Sequence, residues 1–274
     1  GESNVYALII EPFQTLTLRQ CHTNFLQELQ KICNENGIIL IFDEIYVGWY
    51  KTGTMFNFMG HNVLPDILTT SKSLGGGKAS ISAYVARAPI LKKAYGNTRD
   101  ALLHTSTYNG LGEECITAIE AINIMQEENY EKKSFHIEKI VKERCHQLLE
   151  KYSNEVKECR GSGALHGIFF NTDNLVISKI LKLVPLSITK DPKFVPKLAA
   201  AAISDWMYKN YKILVIFSNT DEVALFFKPS LIIEENEINY FFDSLEKTLQ
   251  KGLWQIVLKF ASKQFSNFVN FGSL

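Results

Sequence analysis

The sequence predicts an α/β fold: a mostly parallel sheet with flanking helices, followed by a smaller C-terminal α+β domain. Three observations predict it. Short apolar runs of strand length, at 5–10, 37–42 and 67–70, frame a segment of helical period. From about Gly112 the pattern changes to long helical stretches and then to short strands. Hydrophobic residues make up 46% of the 274 and charged residues 21%, which suits a substantial core and argues against global disorder.

The elements follow in order. VYALII (5–10), closed by Pro12, reads as a buried strand. Residues 19–36 read as a helix, with Phe25, Leu26, Leu29, Ile32 and Cys33 on one face and Gly37 as a left-handed stop. GIILIF (37–42), ILTT (67–70) and SAYVAR (82–87) are further strands. Buried strands separated by helices imply a largely parallel sheet. Residues 112–151 predict one long helix or two consecutive ones, carrying Ile116, Ile119, Ile122 and Ile124 early and Ile137, Ile140, Val141 and Leu148 later. LHGIFF, KILVIF and VALFF are short strands beyond it, with helices at about 193–210 and 235–250. The tail contains GLWQIVLKFASKQF, an amphipathic helix expected to dock on the body. The expected organisation is 1–150 as large domain and connecting helix, 151–250 as small domain, and 251–274 as helical tail.

Composition narrows the function classes. Lys and Arg total 29, as do Asp and Glu, so no basic excess argues for nucleic acid. No apolar run reaches the roughly eighteen residues of a membrane helix. The N-terminus shows no signal-peptide pattern. Five cysteines at wide spacings, without a CxxC pair, suit reduced thiols in a cytoplasmic protein and argue against a zinc site.

The stretch TTSKSLGGGKAS (69–80) poses a choice between a phosphate cradle, a linker and the seat of a reactive lysine. The phosphate-loop pattern GxxxxGK[ST] fails twice: its first glycine falls on Lys72 and its hydroxyl residue on Ala79. Apolar strands flank the glycines too closely for a linker. Lys72 stands where a strand ends, the side of an α/β sheet at which ligands bind. A partly desolvated lysine there can form a Schiff base with an aldehyde; the alternative is a solvated lysine beside a tight turn. Asp43, in the acidic pair that closes the second strand, can hold a proton on a pyridine nitrogen. Alternatively it caps a helix or joins a surface ion pair.

Together these residues carry a resemblance. IIEPFQ, IFDEIYVGWYKTGTMF, PDILTTSKSLGGG and HTSTYNG, in that order and at those intervals, resemble the class-III aminotransferases, pyridoxal 5'-phosphate enzymes of fold type I. The resemblance covers roughly residues 5 to 250 and weakens after 170. It implies that Lys72 bonds the cofactor aldehyde and moves the substrate proton, and that Asp43 partners the pyridinium nitrogen. It further implies that Tyr46 stands where the family carries a glutamine facing the cofactor's phenolic oxygen. Thr107 matches a threonine that reaches the cofactor phosphate of a neighbouring subunit, which implies a homodimer.

Departures refine these expectations. The family's phosphate-cupping turn and ring-stacking aromatic belong before residue 1, so the sequence resembles a C-terminal portion, with a missing N-terminal segment or companion chain expected. Leu16 and Phe226 stand where many members carry a glutamate and an arginine that clamp the substrate carboxylate. Two apolar residues there are self-consistent, and Lys228 stands nearby as a replacement charge. Glu113 and Glu114 are expected to open the helix after HTSTYNG. The implied function is transfer of an amino group from a small-molecule donor to an aldehyde or ketone. The alternatives are an aminomutase or racemase using the same residues, and a non-catalytic subunit that keeps the fold.

Overall fold

The computed structural model describes residues 5–100, 102–172, 191, 193–220 and 222–271. The chain divides into two compact units. The first comprises Gly1–Thr15 and Arg19–Phe135, and the second Leu16–Leu18 and His136–Leu274.

In the first unit a four-stranded sheet has the order β1-β4-β5-β6. Strands β1 (Ala7–Ile10), β4 (Ile39–Asp43) and β5 (Ile67–Thr70) run parallel, and β6 (Ala83–Ala86) runs antiparallel to β5. The mostly parallel sheet and its flanking helices agree with the fold class the sequence predicts. A two-residue hairpin, β2 (Phe13–Gln14) with β3 (Arg19–Gln20), precedes α1 (Thr23–Asn36). The helix expected from residue 19 therefore starts four residues later, because 19–20 spend their hydrogen bonds on the hairpin.

Helix α1 ends where expected. Gly37 adopts φ 67° and returns its N–H to the Cys33 carbonyl. Only part of the expected apolar face is covered: Leu26 and Cys33 are buried, whereas Phe25 and Ile32 are exposed. Helix α2 (Ala88–Tyr95) follows β6, with a proline in its first turn, where the lost N–H costs nothing. Residues 112–151 form two helices, α3 (Gly112–Glu127) and α4 (Tyr130–Lys151), parted at Asn129 with φ 51°. Glu113 and Glu114 occupy the first turn of α3, as expected. That helix buries Ala118, Ala121 and Met125 and leaves Ile116 and Ile119 exposed.

The second unit holds the antiparallel sheet β7 (Val156–Ser162), β8 (Leu165–Phe170) and β9 (Ala224–Phe227). KILVIF forms no full strand: Lys212 is left-handed, and a single bridge joins Phe217 to Leu225 on β9. Helices α5 (Phe194–Tyr211), α6 (Glu235–Leu249) and α7 (Leu253–Phe271) complete the unit. Phe227, Phe241 and Phe242 pack with centroids 4.6 to 5.7 Å apart. Each such buried ring contributes about 1.5–3 kcal/mol. Helix α7 docks on α5, burying Leu253, Ile256 and Val257, so the tail folds against the body as expected. Residues 272–274 of that tail lie outside the described residues. Arg160 ties the strap 16–18 to this unit: its Nη1 donates to the Thr17 carbonyl at 3.1 Å, and the guanidinium pairs with Glu158 and Glu222.

His166, on β8, is 3% exposed, and its Nε2–H donates to the Gly163 carbonyl at 2.9 Å. Burial lowers its pKa from 6.5 to about 4. The unfolded chain therefore takes up a proton before the folded one does. Stability is fully present above pH 6.5 and drains away toward pH 4. The loss should total about 3 kcal/mol, and His166→Gln should remove it, so that the urea midpoint gains on that of the unaltered protein as pH falls through this window.

Candidate active site

The C-terminal ends of β4 and β5 lie side by side. Their parallel register pairs Asp43 with Thr69, and the Glu44 N–H continues the ladder to the Thr69 carbonyl at 3.0 Å. Lys72, two residues past β5, therefore leaves the sheet at the same end as Asp43. A parallel sheet presents its ligand crevice at that end.

Asp43 is half-buried and fixed from one side. Its Oδ1 accepts the Ile45 N–H at 3.0 Å and the Thr69 hydroxyl at 3.2 Å. Among the described residues no hydrogen bond reaches Oδ2, which leaves that oxygen open to a ligand N–H. Thr69 is a positioning residue that sequence reasoning missed; the in-register alternation of ILTT is the signal that it shares a side with Asp43.

Lys72 opens a 3-10 turn, Lys72–Gly75, with φ 50°. The residue is exposed. Its amine lies over the Tyr46 ring, 4.9 Å from the centroid. Tyr46 is half-buried, and burial raises its hydroxyl pKa. The structure thus brings Lys72 and Tyr46 together beside the end of the Asp43 strand. Thr107 is exposed in the 107–110 turn, and among the described residues no hydrogen bond joins it to any of the three.

The glycines after Lys72 have a definite duty. Gly76 adopts φ 59°, and a Cβ there would come within 2.9 Å of the Ala121 Cβ on α3. The run lets the lysine turn pack on a helix.

Behind the site lies a buried support. Glu44 is fully buried; its Oε2 accepts the Asn57 N–H at 2.6 Å and its Oε1 the Phe58 N–H at 2.9 Å. Burial pushes its carboxyl from 4.5 up to about 7 against these two bonds. Trp49 and Tyr50 hold left-handed φ values of 62° and 67°, and the Trp49 indole donates to the Thr70 hydroxyl at 2.7 Å. Consecutive left-handed residues without glycine cost about 1–3 kcal/mol each and cluster at functional sites.

The substrate-clamp positions fall in the second unit. Phe226 is buried under Lys228, whose amine sits 3.4 Å from its ring centroid. Leu16 is 55% exposed.

The sequence profile of the class-III aminotransferases matches residues 1–249. The chain belongs to this family. Class-III aminotransferases use pyridoxal 5'-phosphate. The open carboxylate oxygen of Asp43 and the open amine of Lys72 form a donor set that fits its ring nitrogen and aldehyde. Solved transaminases share the fold. A transaminase from the marine bacterium Virgibacillus superposes with a TM-score of 0.75 at 20% identity, over 91% of this chain and 54% of its own. An aminotransferase of Bacillus anthracis gives 0.74 at 22% identity, over 90% and 52%. The ornithine aminotransferase of Plasmodium yoelii gives 0.71 at 23%, over 90% and 57%. The chain spans about half the length of these transaminases. Helix α7 lies beyond the family match.

Proposed function

We infer that the complete protein transfers an amino group between a small-molecule donor and an aldehyde or ketone acceptor, with Lys72 and Asp43 as its catalytic pair. The observation that carries this reading is the shared exit of Asp43 and Lys72 from two registered parallel strands. Pyridoxal 5'-phosphate, when bound, supplies an electrophilic aldehyde and an electron-withdrawing ring. Lys72 would hold that aldehyde and, when freed by an amino donor, would move the proton at the substrate α-carbon. Asp43, fixed by the Ile45 N–H and the Thr69 hydroxyl, would accept the ring N–H on Oδ2 and keep the ring charged. Tyr46 offers a ring against the Lys72 amine and a hydroxyl in place of the family glutamine. Thr107, exposed, is free to reach the phosphate of a neighbouring subunit in a homodimer.

Phe226 in the clamp position favours an acceptor flanked by apolar groups over one held by a second carboxylate. An aminomutase or racemase would use the same residues in the same roles. The exposure of Lys72 favours a second reading, a non-catalytic subunit that keeps the fold. Five free cysteines suit a cytoplasmic location. Among the described residues, no helix is long and apolar enough to cross a membrane.

Mixing the complete protein with pyridoxal 5'-phosphate tests the assignment. A visible absorbance band should appear and fade when an amino donor is added without an acceptor. A complete protein that develops no band leaves the non-catalytic reading standing.

A further inference from the structure

We propose that the Asn109–Gly110 bond is a self-modification site, where the Asn109 side-chain amide is lost and a new carboxylate appears two residues from Thr107. The sequence holds two Asn-Gly pairs, Asn36–Gly37 and Asn109–Gly110. Glycine after asparagine favours ring closure, because no Cβ shields the following backbone nitrogen. The Gly110 nitrogen attacks Asn109 Cγ, the bond from Cγ to the amide nitrogen breaks, and the Gly110 N–H proton leaves with it as ammonia. A five-membered imide remains. Water then opens the imide at either carbonyl, giving aspartate or isoaspartate. The reaction consumes only water and needs no oxidant or metal.

The structure separates the two pairs. Asn36 is the last residue of α1, and a helix holds ψ near about −42°, which keeps the side-chain carbon away from the next nitrogen. The Gly37 N–H donates to the Cys33 carbonyl, and Asn36 Nδ2 donates to the Ile32 carbonyl at 2.8 Å. Asn109 instead lies in the exposed 107–110 turn, and among the described residues no hydrogen bond engages the Gly110 N–H. The turn is closed by two long bonds, from the Asn109 N–H to the Ser106 carbonyl at 3.2 Å and from the Leu111 N–H to the Tyr108 carbonyl at 3.3 Å. Such a segment reaches the ring-closing geometry at low cost. Nothing lies within 4 Å of a Cβ built on Gly110, so the imide has room. The Ser106 hydroxyl donates to Asn109 Oδ1 at 3.0 Å. That bond draws electrons from Cγ and stabilises the oxyanion formed when the Gly110 nitrogen adds. Asn109 Nδ2 makes only a long bond to the His104 carbonyl, 3.3 Å, so the leaving group is weakly held. The effect on the cofactor rests on the reading of Thr107 as a phosphate contact: a carboxylate beside it repels the phosphate and weakens its retention.

Peptide mass spectrometry of the full chain, held in mildly alkaline buffer, tests the site. Asn109 should convert at least about fivefold faster than Asn36, with isoaspartate as the main product. Ser106→Ala should slow the Asn109 reaction by about threefold and leave Asn36 unchanged. Equal rates at the two pairs overturn the proposal. So does aspartate as the sole product, since hydrolysis without ring closure yields no isoaspartate. An unchanged rate in Ser106→Ala overturns the role of its hydroxyl. The comparison of the two pairs uses the unaltered protein and decides the site even if Ser106→Ala fails to fold. In the complete protein Asn109→Asp should weaken pyridoxal 5'-phosphate binding, read from the visible band, by about threefold or more. Unchanged affinity overturns the effect on the cofactor. An unaltered complete protein without the band counts against aminotransfer and leaves the mass-spectrometric result standing, so the two readings fail independently.

Discussion

Lys72→Ala should leave the complete protein folded and without aminotransferase activity. The side chain is exposed and its amine lies over the Tyr46 ring, so truncation removes little packing. The chemistry loses both its covalent anchor and its proton carrier. Loss of such a group typically lowers turnover by a factor on the order of 10⁴ or more. Lys72→Arg should fail equally, because a guanidinium keeps the charge but is not a nucleophile at neutral pH. Two readouts check this: the visible cofactor band, expected to vanish in both variants, and the urea midpoint, expected to hold. A Lys72→Ala protein that keeps the band and turns over would remove the basis for assigning this lysine.

Glu44→Ala should be the most damaging substitution for stability near the site. The carboxylate is fully buried and satisfies the N–H groups of Asn57 and Phe58 together. Alanine leaves both donors buried without an acceptor and opens a void, at a cost of about 3 kcal/mol or more. Glu44→Gln keeps one acceptor oxygen and should cost less. The pH dependence adds a second signature. The folded pKa of about 7 lies above the unfolded 4.5, so the folded state holds its proton longer. That contribution is fully present below pH 4.5 and is lost as pH rises through about 7. The slope is opposite to that from His166, which weakens the fold on the acid side. The two windows overlap between pH 4.5 and 6.5 with opposing slopes, so urea titrations should show stability rising with pH in Glu44→Gln and falling with pH in His166→Gln. A Glu44→Gln profile that still falls between pH 4.5 and 7 would place the titrating group elsewhere.

Much of the first unit was legible because its signals are local. ILTT became β5 at its predicted residues, and Gly37 stopped α1 with the left-handed φ that its position requires. Asp43 and Lys72 were legible as strand-end residues, since a strand's apolar run marks where its polar end emerges. What local pattern could not reveal was pairing in space. Residues 19–20 read as helix until the hairpin partner at 13–14 is known. Phe25, Ile32, Ile116 and Ile119 read as core, yet the structure exposes them, because a 3.6-residue period identifies an apolar face without saying what covers it. Glu44 gave no sign of its role, since its N–H partners lie thirteen and fourteen residues away.

The sequence by itself determined the main strands and helices of the first unit and the family. These follow from short-range periodicity and from residue types at fixed intervals. Only the tertiary structure decided that β4 and β5 end in register, that Thr69 steadies Asp43, that Gly76 makes room for Ala121, and that Lys228 overlies Phe226. Each of these depends on chain segments brought together by burial and by backbone pairing.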